Sequence, residues 1–222
     1  MSSPSQRPAA PRIVVINPNS NAEVTAGIDR AVEPFRAAGV SIACETLAEG
    51  PFGIESQRDA DAVTLPLANR VTRSDAEAWV IACYSDPGVH VCREAASAPV
   101  FGIAECAVLS ALARAERFGV IAIKDGSIRR HLRQLRELGL IGRLAAERAL
   151  NMSVAETASG TGTLERMVVV GEALRDQDGA GAVIMGCAGM ARHRRPLEDA
   201  LGVPVIEPCQ AAVTLAIGTL LG

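Results

Sequence analysis

Trp79-Val80-Ile81-Ala82-Cys83 and Val183-Ile184-Met185-Gly186-Cys187 decide the fold of this chain. Each is a short apolar run that ends on a cysteine and runs into a turn, the pattern of a buried strand. Each is followed by a short helical stretch and a second strand, Ala98-Pro99-Val100-Phe101-Gly102-Ile103 in one case and Gly202-Val203-Pro204-Val205-Ile206 in the other. Both second strands lead to an acid and a cysteine, Glu105-Cys106 and Glu207-Pro208-Cys209, and then to an apolar helix. Cys83 and Cys187 lie 104 positions apart, Cys106 and Cys209 lie 103 apart, and the opening strands at Arg12 and Arg117 lie 105 apart. The chain reads as an internal repeat of two similar α/β lobes of about a hundred residues each.

Working outward, strand signals fall at 12–16, 40–46, 78–83, 100–103, 118–123, 148–152, 182–187 and 203–206. Helix-period segments lie between them at 22–37, 59–74, 107–115, 128–138, 164–175 and 210–221. This alternation predicts an α/β fold of two pseudo-symmetric lobes, each with a mostly parallel four-stranded sheet covered by helices. Ser20 with Glu23 three residues later reads as a capping box for the first helix. Residues 1–11 are rich in Ser, Pro and Ala and read as a disordered tail with no apolar signal core, consistent with a cytoplasmic protein.

Composition removes several function classes. The 222 residues carry 22 Lys+Arg against 25 Asp+Glu, a net charge of −3, so no basic face for nucleic acid or anionic lipid is expected. Aromatic residues are 3% of the chain, too few for a base-stacking platform. No apolar run reaches the roughly 18 residues that a membrane-spanning helix needs. No glycine-rich phosphate loop follows any strand, which argues against nucleotide binding. Lys124 is the sole lysine, so a Schiff-base mechanism would rest on that one residue. The expected partner is a small molecule.

The six cysteines contain no Cys-x-x-Cys pair, which argues against a zinc ribbon or a thioredoxin-type centre. Cys44, Cys92, Cys106 and Cys209 read as packing thiols. Cys83 and Cys187 differ because each ends a strand, and open α/β sheets bind ligands beyond the carboxyl ends of their strands. Two thiols facing each other across one cleft suit removal of a proton from one face of a carbon and its return to the other. A free thiol is only a few per cent thiolate at neutral pH, so the site is expected to raise that fraction through backbone N–H groups. Ser85-Asp86-Pro87 after Cys83, and Ala188 and Gly189 after Cys187, are placed to supply them. Tyr84, Asn19 and Glu105 have either a pocket or a merely structural role on this reading, and His90 and His193 are expected outside the chemistry.

Asn17-Pro18-Asn19-Ser20, Ala82-Cys83-Tyr84-Ser85-Asp86-Pro87-Gly88 and Met185-Gly186-Cys187-Ala188-Gly189-Met190, in this order, resemble the Asp/Glu/hydantoin racemase superfamily, and within it the hydantoin and allantoin racemase branch. The likeness spans residues 12–222. It implies two flavodoxin-like lobes with the active site in the cleft between them, no cofactor and no metal, and a homo-oligomer. It also implies that the last helix returns to the first lobe, giving a first lobe of 12–99 plus 208–222 and a second of 100–207. By the same resemblance Cys83 and Cys187 are the catalytic acid/base pair, and Asn17, Ser85 and Gly189 lie near the substrate. The sequence departs from the family pattern at Ile123-Lys124-Asp125-Gly126-Ser127, where threonines that line the pocket are usual. Lys124 there is a candidate partner for a substrate carboxylate, which keeps an acidic amino acid or its N-carbamoyl derivative beside the hydantoins. A maleate-type isomerase, a one-cysteine decarboxylase and a non-catalytic two-lobed binding protein are the competing readings.

Overall fold

The computed structural model describes residues 12–73, 76–159 and 161–222. The expected tail, 1–11, lies outside them. Strands β1 (Arg12–Asn17), β2 (Ser41–Thr46), β3 (Ala78–Ile81) and β4 (Val100–Gly102) form one sheet in the order β2-β1-β3-β4. Strands β5 (Phe118–Ala122), β6 (Leu144–Ala149), β7 (Ala182–Met185) and β8 (Val205–Ile206) form a second in the order β6-β5-β7-β8. Every strand pairing is parallel. The registers also correspond: Ile16 sits opposite Ile81 in the first sheet, and Ile121 opposite Met185 in the second. The sequence repeat is therefore a structural repeat, and it puts Cys83 and Cys187 at equivalent points just past the two inner strands.

Strand alternation sorts the first sheet's residues onto two faces. Val14, Ile16, Trp79 and Ile81 pack outward on α2 (Gln57–Ala62), α3 (Thr64–Val71) and α4 (Val89–Ala95), through Ala60, Leu67, Val71 and Cys92. Ile13, Val15, Val80 and Ala82 point the other way, into a core that continues through the second sheet's Phe118, Val120 and Ile184. Each such side chain contributes about 1.5–3 kcal/mol when fully buried. One inner core shared by both sheets makes the two lobes a single packed unit.

The helices that follow the last strands tie the lobes together. α5 (Ile103–Leu112) leaves the first sheet and packs against β5, β7 and β8. α10 (Pro208–Leu221) leaves the second sheet and packs against α1 (Ala22–Val32), β3 and β4. Both bury small residues, Ala104 and Ala107 in α5 and Ala211, Ala212 and Ala216 in α10, which lets the helices approach closely. β4 pairs in register with Trp79, Val80 and Ile81, so the chain leaves the first sheet after Gly102 and not at Val100.

Several element boundaries differ from the sequence expectation. The helix expected over 59–74 is two helices meeting at Val63, because Ser56 and Asp59 cap a short first one and Pro66 lacks the N–H that would continue it. The strand expected at 148–152 is β6, at Leu144–Ala149; it is an edge strand with every residue only half-buried, so its apolar contrast is weak. The cap of α1 is Asn21, whose side chain accepts from the Glu23 N–H, while Ser20 donates its own N–H to Pro51 O at 2.9 Å. No helix among the described residues is long and apolar enough to cross a membrane.

Candidate active site

Ala82 and Gly186 close the two inner ladders, their N–H groups donating to Ile16 O at 2.8 Å and Ile121 O at 2.9 Å. A Cβ on Gly186 would stand 2.5 Å from Ile121 O, so the second strand reaches this point only with glycine. The next residue in each lobe is the cysteine. Cys83 and Cys187 line one cleft, together with Ser85, Tyr84 and Asn19 from the first lobe and Ala188 and Gly189 from the second. Ile54, Ile123 and Val154 give it apolar walls, and Ser127, Arg130 and His131 of α6 (Asp125–Glu137) close one side. The cleft holds about 410 Å³ of space between atoms, counting the part open to solvent; the centre of a water-sized molecule can move through only about 30 Å³ of it. In this closed arrangement the gap fits water.

Burial governs both thiols. It pushes Cys83 up to about 12, reinforced by the neighbouring Cys187 and Asp86 and opposed by the Ser85 N–H and the Arg130 charge. Cys187 is also raised by burial, with the Gly189 N–H and the Thr157 hydroxyl opposing and the carboxylates of Glu55 and Glu207 adding to the rise. The backbone donors expected from Ser85 and Gly189 are thus present, yet in the closed cleft they do not outweigh desolvation. Both sulfurs carry protons there at neutral pH.

Contacts across the cleft hold it shut. Glu55, in the segment after β2, pairs with Lys124 and also accepts from the Val154 N–H at 3.0 Å. Arg130 donates to Ser85 Oγ and to Glu55 O, both at 3.4 Å, and Gln134 Nε2 donates to Asp86 at 2.6 Å. Beneath the cleft His131 bonds Glu147 through Nδ1, and its ring meets Tyr84 edge-on with centroids 4.9 Å apart.

A family model for Asp/Glu/hydantoin racemases matches residues 13–216. The chain belongs to this family. A hydantoin racemase of Paenarthrobacter aurescens is 36% identical over 211 residues, covering 92% of this chain and 89% of that one. A hydantoin racemase of Pseudomonas sp. (strain NS671) is 34% identical, with 92% and 84% covered. Among solved structures, the allantoin racemase from Klebsiella pneumoniae superposes with a TM-score of 0.88 at 30% identity, covering 96% of this chain and 88% of that one.

This racemase holds its sequence-singled residues in different ways. Cys83, Cys187, Ser85 and Gly189 meet at the cleft. Asn17 is fully buried behind it: its amide donates to Asn19 Oδ1, Asn21 O and Thr25 Oγ1 at 3.0–3.1 Å, and its oxygen accepts from the Asn19 N–H. It shapes the turn that presents Asn19. Lys124 stands at the cap position of α6, is not among the residues lining the cleft, and is taken up by Glu55. Glu105 pairs with Arg93 and caps α5, while Cys106 and Cys209 are buried in the shared core. No group of three or more His, Cys, Asp or Glu among the described residues is placed to hold a metal ion. Ser127 lies in the stretch where the family resemblance expects pocket threonines, and it lines the cleft. Arg130 and His131 escaped the sequence reading because they sit in the charged stretch Ile128-Arg129-Arg130-His131, where nothing marks the face that meets the other lobe.

Proposed function

We propose that this racemase interconverts the enantiomers of a 5-substituted hydantoin, allantoin or a related cyclic ureide, using Cys83 and Cys187 as its two proton carriers and no cofactor. The observation that carries this reading is that both strand-end cysteines, one from each repeat, line a single cleft. One thiolate removes the proton from the stereogenic carbon. The electron pair of that C–H bond moves into the adjacent carbonyl, giving an enolate, and the opposite thiol delivers its proton to the other face. The first sulfur is then protonated and the second is a thiolate, and exchange with water restores the starting state. The Ser85 and Gly189 N–H groups act on Cys83 and Cys187 and favour negative charge on sulfur.

The test is incubation of each enantiomer in heavy water, following optical rotation and the NMR signal of the α-hydrogen. Racemisation accompanied by deuterium uptake is expected. Cys83→Ser and Cys187→Ser should each lose about 10²- to 10⁴-fold in rate. Decarboxylation of a malonate-type acid with only one of the two cysteines required would replace this reading with the one-cysteine alternative. Racemisation of free aspartate or glutamate in preference to the ring compounds would move the substrate to the amino-acid branch.

A further inference from the structure

Arg130 is 8% exposed and faces the cleft, yet among the described residues no carboxylate lies within 4.0 Å of its guanidinium. Its contacts are with neutral oxygens at the long end of hydrogen bonding: Ser85 Oγ and Glu55 O at 3.4 Å and Gly126 O at 3.2 Å. Nη2 donates to none of the described residues, which leaves one edge of the fork open. The other charges on this wall are accounted for. Lys124 is matched by Glu55, and Asp86 accepts the Ala104 and Glu105 N–H groups and Gln134. One turn earlier on the same face of α6, Ser127 is 1% exposed, lines the cleft, and its hydroxyl has no hydrogen-bond partner. The charge of Asp59 acts on Arg130 at longer range, but its carboxylate is taken by the Glu55 and Ser56 N–H groups and makes no ion pair with the guanidinium. A buried cation with no ion-pair partner and a buried hydroxyl with no hydrogen-bond partner are both costly unless a ligand completes them.

We propose that Ser127 and Arg130 form a subsite for a carboxylate on the substrate, so that the preferred ring compounds carry an acidic arm, as in a 5-(carboxyalkyl)hydantoin. This rests on the hydantoin reading above and narrows its substrate class. A guanidinium fork matches the two oxygens of a carboxylate, and Ser127 is placed to donate a third bond. The role foreseen for Lys124 passes to Arg130, since Lys124 already has its acid.

Binding is read with probes that cannot react, because their reacting carbon holds no hydrogen: 5-methyl-5-(2-carboxyethyl)hydantoin and neutral 5-methyl-5-propylhydantoin, by calorimetry. The wild-type chain should prefer the acid by about 10-fold or more, the return expected from a charge-assisted pair. Arg130→Gln should bring that ratio close to one, and Ser127→Ala should lower it about threefold. Thermal melting of each variant establishes that it is folded, and Arg130→Lys, which keeps the charge and loses the fork, should restore part of the preference. A wild-type ratio near one, or a ratio unchanged in Arg130→Gln, overturns the proposal. If neither ring probe binds, the hydantoin reading fails, and glutarate then tests the subsite alone: binding lost in Arg130→Gln upholds it, and no binding to the wild type overturns it.

Discussion

The two cysteine loops occupy equivalent places in the repeat but are supported differently. After Cys83 the chain makes a strained turn, with Asp86 at φ +41°, and the Asp86 carboxylate reaches across to the Ala104 and Glu105 N–H groups at 2.9 and 3.0 Å. The first loop is thereby fastened to the N-terminus of α5, the helix that crosses into the second lobe. After Cys187 a short 3₁₀ turn (Ala188–His193) follows, and the matching helix α10 is capped by its own Glu207, which accepts from the Cys209 and Gln210 N–H groups at 3.2 and 2.7 Å. The second loop leans instead on Thr157 of α7 (Val154–Ser159). What the halves share is the position of a sulfur at the strand end; what they do not share is the means of holding it. Two mirror-image substrates require the first kind of likeness and are indifferent to the second.

The comparison is broken most severely at Asp86. Asp86→Ala leaves the buried Ala104 N–H, the partly buried Glu105 N–H and Gln134 without their acceptor while removing nothing from the second loop. Unfolding free energy should fall by about 2–4 kcal/mol in a denaturant titration. Racemisation per folded molecule should fall as well, because the turn carrying Cys83 and the Ser85 N–H is no longer fixed. Unchanged activity in the folded fraction would mean that the link to α5 serves stability alone. Gly102 belongs to the same contact: a Cβ there would meet the Asp86 carboxylate at 2.3 Å, so Gly102→Ala should weaken the same tie.

The two capping acids also share a titration. Burial raises Asp86 and Glu207 each to about 7, above ordinary carboxylate values, against the opposing pull of the N–H groups they accept. The folded chain therefore holds these protons more tightly than the unfolded chain does. The resulting stability is complete below the unfolded carboxylate range and is lost as pH rises through 7. Melting temperature should fall between pH 5 and pH 8, and Glu207→Gln should flatten part of that slope. Racemisation should run the opposite way and increase over the same range, because both thiols are raised and the thiolate becomes more abundant with pH. Activity that declines as pH rises while the protein remains folded would contradict that account of the cysteines.

Sequence patterns revealed most of this frame because β1, β3, β5 and β7 are inner strands, buried on both faces, and continuous apolar runs mark such strands without help from context. The cysteines were legible for the same reason, each being the first residue past such a run. Edge strands such as β6 lack that contrast. The wall of the cleft was opaque for a different reason. Arg130 acquires its environment from Glu55 and Ser85 of the other lobe, 75 and 45 residues away in sequence. A charged helix with one buried face resembles any solvated helix until its neighbour is known. Asn17 shows the converse, since a motif asparagine at a strand end can be used up entirely by its own turn.

The smallest expected effect sharpens the comparison from the second loop. Thr157 Oγ1 is beside the Cys187 sulfur and next to Gly189, where an added Cβ would stand 3.3 Å from that oxygen and 3.6 Å from the sulfur. In the resting structure the hydroxyl donates to Val154 O at 2.8 Å, and rotation of its proton makes it a donor to a thiolate. Thr157→Val keeps the shape and removes the donor, so it should disfavour thiolate at Cys187 and leave Cys83 untouched. A lost hydrogen bond of about 1 kcal/mol predicts a fall of roughly 3- to 10-fold in kcat/KM near neutral pH. Enantiomers have equal free energies, so that fall must be the same in both directions and cannot by itself identify the sulfur involved. The primary deuterium isotope effect can: it should rise for the enantiomer whose proton Cys187 removes, and fall for its mirror image, to which Cys187 only returns a proton. Equal changes for both enantiomers would show that Thr157 supports the cleft as a whole and does not tune one of its two thiols.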